Sequence, residues 1–277
     1  MSTLVTSGNI GDHVARLLTE KGVAVRLLAA DDFRDSESLA VAFRGVKKFF
    51  SVSPFVESLA QLGIRSIEAA KRAGVHYIVR SSVMGAAEDA AIVVGRLHGQ
   101  VEAELRRSGI PHTVVQPNAF MQNYLAQAAS VKAEDAFYLP EGDGAMSLID
   151  VRDIAAVAVA ALTESSHEGK RYVLTGDEAL SNREVAEKFS QALGRTIRYV
   201  DVTDEQAGES MRSGGMAEWT VHAMIEFTQI VRAGYAAVIS PDVETVLGRK
   251  PFLFDQFLQD NLVEFNNSPV KSHTQLT

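Results

Sequence analysis

Residues 6–11 join a short apolar strand to a helix and carry two glycines three positions apart. The run Leu4-Val5-Thr6-Ser7-Gly8-Asn9-Ile10-Gly11 ends the strand and opens the helix. A glycine lets the backbone approach a phosphate closely or lets a helix pack tightly on a strand. The unpaired N–H groups at a helix start attract anions. We therefore expect a diphosphate-binding turn, with a ligand-free tight turn as the alternative, built from Thr6, Gly8, Asn9, Ile10 and Gly11.

A second group of chemically active side chains follows later strands. Ser81 and Ser82 end an apolar strand, and His98 lies on the next predicted helix. An imidazole can donate a proton near neutral pH. We predict His98 and Ser81 as catalytic residues, and a hydrogen-bonded structural histidine is the alternative for His98. Where two strands end, four residues are predicted to contact a cofactor, with plain strand-end hydroxyls as the alternative for the serines: Ser51, Val52, Ser53 and Ser82.

Alternating strands and helices must position these residues. Apolar β runs cover residues 4–6, 23–28, 49–53, 77–81 and 113–116, and helix-period stretches cover residues 10–21, 36–43, 59–73 and 92–108. Strands buried on both faces and separated by helices predict an α/β doubly wound parallel sheet, which binds ligands at the carboxyl ends of its strands. We predict a core over 1–120, a smaller α/β lobe interleaved with it over 121–265, and a flexible tail over 266–277.

Composition excludes several classes of protein and site. The 277 residues carry a net charge of −8, which argues against general nucleic-acid binding. No cysteine is present, so disulfides, thiolate nucleophiles and cysteine-ligated zinc are excluded. The seven histidines are scattered, and we predict no metal site. No stretch reaches the about 20 apolar residues of a membrane span, and we expect a cytoplasmic protein.

Several motifs resemble those of one family, the NmrA-like atypical short-chain dehydrogenases/reductases. They include Thr-Ser-Gly-Asn-Ile-Gly at residues 6–11, Ser-Gly-Ile-Pro-His-Thr at 108–113, Gln-Pro-Asn-Ala-Phe-Met-Gln-Asn at 116–123 and Ile-Asp-Val-Arg-Asp-Ile-Ala at 149–155. The resemblance covers residues 3–265. It implies a Rossmann fold that binds NADP or NAD, with the family leaning toward NADP. Some members reduce quinones or triphenylmethane dyes, and others are regulators that bind dinucleotide without turnover.

The resemblance also assigns roles to individual residues. By family position Asp32 and Phe33 flank the adenine, and the alternative is a solvated loop that caps the helix at Ser36. His98 stands where plant ether reductases carry a catalytic lysine, while the Tyr-x-x-x-Lys pair of ordinary short-chain dehydrogenases is missing. The predicted substrate-binding residues, each with core packing as its alternative, are Asn118, Phe120, Met121, Asn123 and Trp219.

Two departures from the family pattern fall on loops that a dinucleotide would contact. The family loop Thr-Gly-Ala-Thr-Gly-Asn-Ile-Gly is two positions longer and has a glycine that is absent here. After Leu28 the family continues through an arginine, a helix and a third strand, whereas this chain reaches Asp32-Phe33-Arg34-Asp35 within a few residues. A parallel crossover needs about a dozen residues. Either the sheet lacks this unit or residues are missing from the sequence, and the second alternative is favoured.

These observations predict an NAD(P)-dependent oxidoreductase. It would transfer a hydride between nicotinamide and a conjugated aromatic or quinone-like molecule, a reaction that needs little acid catalysis because conjugation stabilises the product anion. The rival is a dinucleotide-sensing regulatory protein without turnover, and a third possibility is that the shortened loops have abolished nucleotide binding. The expected partner is a small molecule, with no nucleic acid and no membrane, and a homo-oligomer is possible.

Overall fold

The computed structural model describes residues 2–266, so residues 267–277 of the predicted tail lie outside the described chain. The strands are β1 (Ser2–Thr6), β2 (Ala24–Leu28), β3 (Val46–Val52), β4 (Tyr77–Ser81), β5 (His112–Pro117), β6 (Ala136–Leu139), β7 (Ala145–Met146), β8 (Arg171–Leu174), β9 (Leu180–Ser181) and β10 (Arg198–Asp201). The α-helices are α1 (Asn9–Glu20), α2 (Ser36–Ala42), α3 (Leu59–Arg72), α4 (Val93–Ser108), α5 (Ala128–Glu134), α6 (Val151–Thr163), α7 (Asn182–Leu193), α8 (Asp204–Ser213), α9 (Glu218–Arg232), α10 (Asp242–Leu247), α11 (Phe254–Asp260) and α12 (Leu262–Phe265). Two 3-10 helices cover Ala30–Arg34 and Met121–Gln127.

A six-stranded parallel sheet forms the centre of the molecule. Its strand order is β2-β1-β3-β4-β5-β8, and every neighbouring pair is parallel. Alternate residues of the strands enter two different hydrophobic clusters, one packed under α3 and α4 and the other under α1 and α6. The predicted doubly wound Rossmann-type sheet is confirmed.

The sheet ends at β2, because the third strand of the family pattern is absent. After β2 the chain turns directly into the first 3-10 helix, where the Asp32 N–H donates to the Ala29 carbonyl at 3.2 Å. Across the sheet edge, the Ser7 N–H donates to the Leu28 carbonyl at 2.9 Å. In the described chain no strand pairs with the outer edge of β2, and Leu27 is 56% exposed there. The given chain therefore has no residues that form the crossover unit after β2.

The second half of the chain contributes to both parts of the molecule. β8, α6 and α10 pack onto the main sheet, whereas β6 and β10 form a separate parallel pair covered by α5 and α7. A third hydrophobic cluster, rich in phenylalanine, fills this smaller lobe. Hydrophobic periodicity predicts helices over residues 151–162, 183–193 and 217–233 and strands over 171–174 and 197–202, where the structure has α6, α7, α9, β8 and β10. β6 is missed, because it runs into a stretch rich in turn residues.

Long-range hydrogen bonds hold the smaller lobe over the carboxyl edge of the main sheet. Asn118, directly after β5, donates from Nδ2 to the Ser147 hydroxyl and to the Ala236 carbonyl, both at 2.8 Å. The Val93 N–H at the start of α4 donates to Glu226 of α9 at 2.6 Å. This edge is therefore bordered by both lobes. Between residues 2 and 266 no helix is long and apolar enough to cross a membrane.

Candidate active site

The backbone geometry of the turn between β1 and α1 requires glycine at two positions. Gly8 has φ +123°, and a Cβ at this exposed position would meet no atom within 4 Å. A Cβ on Gly11 would lie 1.7 Å from the Thr6 carbonyl oxygen, so only glycine lets α1 pack this closely on β1. Asn9 is exposed beside Gly8, whereas Ile10 is buried in the core. The backbone at Gly8 is thus open to the approach of a ligand.

Two polar groups of this turn, the Thr6 hydroxyl and the Gly8 N–H, form hydrogen bonds within the protein. The Thr6 hydroxyl donates to the Phe50 carbonyl and accepts from the Val52 N–H, both at 3.2 Å, so it ties β1 to β3. Asp12, in the first turn of α1, accepts from the Gly8 N–H through Oδ1 at 3.2 Å. A carboxylate of this chain therefore occupies one of the N–H groups that a diphosphate would use.

The predicted adenine end consists of one half-buried and one buried residue. Asp32 is half-buried, and its Oδ2 accepts from the Ala29 N–H at 2.9 Å. Asp32 also borders a surface cavity of about 470 Å³ together with Asp35 and Val41. Phe33 is fully buried in the cluster under α3, so its ring is not free to stack on a base. The Phe33 side chain anchors the shortened loop after β2, and a contact of its ring with the adenine is not favoured.

A layer of buried polar side chains lies on the α4 face of the sheet near its carboxyl edge. Arg80 of β4 is fully buried and donates through Nη1 to the Ser51 hydroxyl of β3 at 3.3 Å. Ser82 donates to Oε1 of Glu102 on α4 at 2.6 Å. Because strand residues alternate between faces, Ser81 points to the opposite face, where the cluster under α6 lies. The structure therefore brings Ser51 and Ser82 toward His98 and separates Ser81 from them.

His98 faces the sheet from α4 and is almost completely buried. Its Nδ1 lies 3.2 Å from Nη2 of Arg80. Burial and the neighbouring positive charge hold the pKa of His98 well below its usual value of 6.5. His98 is therefore neutral at pH 7, and the expectation that it supplies a proton near neutral pH is not favoured.

The low pKa of His98 predicts a pH-dependent stability. The unfolded chain takes up this proton at about pH 6.5, before the folded protein does, so stability falls as the pH falls below 6.5. The loss should approach about 1.4 kcal/mol per pH unit for a single group. Urea unfolding at pH 7.5, 6.5 and 5.5 should show this slope in the wild type and a smaller one in His98→Gln. His76→Gln, at an exposed histidine, is the matched control; equal slopes in all three proteins would contradict the assignment.

The predicted substrate residues divide into structural and exposed positions. Asn118 is buried, and both ends of its amide already have hydrogen-bond partners. It also donates to the Ser147 carbonyl and accepts from the Ala119 N–H. Met121 is buried in the core of the smaller lobe. Phe120 packs against the cluster under α6, and Asn123 is exposed. Core packing, the alternative interpretation, therefore describes Asn118 and Met121 better than a pocket wall does.

Trp219 forms an aromatic pair that bridges the two lobes. It lies in the first turn of α9, and its ring centroid is 5.3 Å from that of Phe55, in the loop after β3. The planes are tilted by 60°, and Phe55 is 47% exposed. Val52 and Ser53 lead from β3 into this loop, and the Ser53 hydroxyl is buried without a hydrogen-bond partner among the described residues. The partly exposed aromatic surface suits a flat conjugated ligand.

Sequence reasoning missed three residues of this site. Arg80 could have been found, since a charged residue inside an apolar parallel strand must be buried and needs partners. Glu102 is one helical turn from His98, which places both on one face of α4. Phe55 carried no signal, because its contact with Trp219 depends on how the two lobes meet.

Comparison with known proteins agrees with this geometry. The model of the NmrA-like family matches residues 4–250. The chain belongs to the NmrA-like family. Among relatives, an NAD(P)H azoreductase of Xenophilus azovorans is 39% identical over 94% of this chain and 96% of its own length. The predicted resemblance is thereby confirmed.

Solved structures of NmrA-like proteins show the same fold. An NADPH-dependent quinone oxidoreductase of Escherichia coli, in complex with NADPH, superposes with a TM-score of 0.82 over 95% of this chain and 100% of its own, at 24% identity. The negative transcriptional regulator NmrA superposes with a TM-score of 0.72 over 93% of this chain and 94% of its own, at 16% identity. The regulator is thus the more distant of the two.

Proposed function

We propose that the protein is an NAD(P)-dependent oxidoreductase that reduces a conjugated aromatic or quinone-like molecule. The observation that carries this proposal is the order of groups along one sheet edge. The glycine turn follows β1, the aromatic pair follows the adjacent β3, and the buried polar layer lies under the end of β4. The similarity to an NAD(P)H azoreductase and to a quinone oxidoreductase supports the same reaction class.

The residues present fit a dinucleotide along this edge. The open backbone at Gly8 would take the diphosphate against the first turn of α1, and the half-buried Asp32 carboxylate would accept from ribose hydroxyls. Bound there in its reduced form, a nicotinamide supplies a hydride, and solvent supplies the proton that completes the reduction. Ser53 and Ser81 are the candidate contacts of the reacting end. Phe55 and Trp219 would hold the acceptor flat, so that proximity provides most of the rate enhancement.

Steady-state oxidation of NADH and of NADPH, with a panel of quinones and azo and triphenylmethane dyes, tests this proposal. Turnover with at least one acceptor is the expected result. Binding of dinucleotide without turnover, with a preference for the oxidised form, would identify a sensor instead. A thermal shift absent at saturating concentrations of every dinucleotide form would contradict both functions, because a ligand at 100 times its Kd stabilises by about 2.7 kcal/mol.

Asp12 predicts an unusual effect on dinucleotide affinity. Its carboxylate accepts from the Gly8 N–H and would repel a diphosphate at the same helix start. Asp12→Asn should therefore tighten dinucleotide binding about threefold, the change expected of one exposed charge at a helix terminus. Isothermal titration calorimetry at low and high salt measures the gain, which should shrink at high salt.

The matched control for Asp12 is Glu187→Gln, which removes one exposed negative charge from α7 in the smaller lobe. It should leave the dinucleotide Kd unchanged. Weaker binding by Asp12→Asn would show that Asp12 supports the turn rather than competing with the ligand.

A further inference from the structure

Arg80 is a cation buried in the central sheet beside a histidine at the candidate site. Within β4, Ile78 and Arg80 face α3 and α4, whereas Val79 faces the opposite side. Arg80 is fully buried, and burial lowers its pKa to about 10 while the charge of Glu102 acts in the other direction. The guanidinium therefore stays charged at pH 7.

The partners of Arg80 define its orientation. Nη1 donates to the carbonyl of Ser51 at 3.4 Å and to its hydroxyl at 3.3 Å, and Nη2 points at Nδ1 of His98 at 3.2 Å. Nε is buried and has no partner in the described chain. Arg80 can only donate hydrogen bonds to its neighbours, because a guanidinium has five N–H donors and no acceptor.

This arrangement dictates where the proton of His98 lies. A guanidinium cannot accept, so Nδ1 must accept from Nη2, and the single ring proton must be on Nε2. Nε2 has no hydrogen-bond partner in the described chain and is not among its enclosed unpartnered atoms. It therefore keeps contact with solvent, while the rest of the ring is buried.

We propose that Arg80 is a positioning residue that fixes His98 as the neutral Nε2–H tautomer, so that Nε2–H is a permanent hydrogen-bond donor at the carboxyl edge. For the reaction, this inference rests on the proposed function. Hydride transfer leaves negative charge on an atom of the reduced substrate. A hydrogen-bond donor in a fixed position stabilises that charge. His98 keeps its proton, and solvent protonates the product anion.

The proposal separates two roles that a histidine can have in a reductase. A histidine that supplies the proton must become charged, and its contribution follows its titration. A histidine held neutral by Arg80 contributes equally on both sides of pH 6.5. The tautomer is also a property of the protein without any ligand, so it can be measured whether or not the protein turns over.

The test is a long-range proton–nitrogen NMR spectrum of the ring nitrogens in histidine-labelled protein without cofactor or acceptor. The His98 signals are assigned by their loss in His98→Gln. The wild type should show the Nε2–H tautomer, unchanged between pH 8 and pH 5.5. Arg80→Lys, which keeps a charged donor, should preserve that tautomer. Arg80→Met should release His98 to populate both tautomers and should raise its pKa only in part, because burial still disfavours the charged ring.

A kinetic arm tests the role in the reaction. With a working acceptor, Arg80→Met should lower kcat about tenfold at pH 8, with KM nearly unchanged, and Arg80→Lys should restore most of it. An Nδ1–H tautomer or a titration near pH 6.5 in the wild type would overturn the proposal, and this result does not depend on the variants folding. If no acceptor is ever reduced, the proposed function fails, and the tautomer measurement still decides the role of Arg80.

Discussion

Replacing Glu102 with glutamine is expected to lower the free energy of unfolding by about 3 kcal/mol. Glu102 is buried, and its two oxygens serve three donors from three strands. Oε1 accepts from Ser82 at 2.6 Å and from Gln116 at 2.8 Å, and Oε2 accepts from Arg171 at 2.9 Å. These contacts join the ends of β4, β5 and β8 to α4.

A glutamine offers these donors one acceptor oxygen instead of two. Its NH2 group then faces either Arg171, which cannot accept, or the pair Ser82 and Gln116, which must turn their own polar groups to accept from it. The variant also removes the negative charge nearest to the buried Arg80. Breaking a buried charge network by removing one partner costs several kcal/mol, because the remaining charge stays desolvated.

Urea unfolding followed by circular dichroism measures the loss. Glu104→Gln is the matched control, since Glu104 lies on the same helix and, among the described residues, forms an ion pair at 3.1 Å with the exposed Arg107. This control should change stability by less than about 0.5 kcal/mol. Equal effects of the two variants would mean that the network around Glu102 contributes no more than a surface ion pair.

Local patterns of hydrophobic residues in the sequence predicted most of the fold. Hydrophobic residues with a period of two or of 3.6 predicted β1 to β5 and α1 to α4. Because crossover connections are right-handed, few strand orders are possible for such a sheet. The family pattern then exposed the missing unit after Leu28. Neither the family position of Phe33 nor the acidic residues beside it indicated that its side chain would be buried, because that burial depends on how the shortened loop packs on the core.

The candidate site was less predictable because its parts meet only through tertiary packing. Asn118 reaches the Ala236 carbonyl across 118 residues of sequence, and no local pattern signals that bond. For His98 the position was predicted but the chemistry was not. Its tautomer and pKa depend on Arg80 of β4. A contact between a strand and a helix depends on how the two elements pack, and no sequence motif indicates it.

The ring of Trp219 is expected to contribute mainly to acceptor binding. It contacts Phe55 with a centroid distance of 5.3 Å, and neither ring is a member of the hydrophobic clusters of the described chain. Trp219→Ala should raise KM for a quinone or dye about tenfold, which corresponds to about 1.4 kcal/mol of lost contact. The KM for the reduced dinucleotide and the kcat should change by less than about twofold, because the ring makes uniform rather than transition-state contacts.

Kinetics with the four proteins of a double-mutant cycle measure this effect: wild type, Phe55→Ala, Trp219→Ala and the double variant. Because the two rings contact each other and would share one ligand, the double variant should lose less than the sum of the single losses. Trp219→Phe should keep most of the affinity. Tyr138→Ala, an exposed aromatic on β6 that bonds only to Glu134, should change nothing. If Trp219→Ala leaves KM for every acceptor unchanged, the acceptor binds elsewhere along the edge, and the aromatic pair serves only to join the lobes.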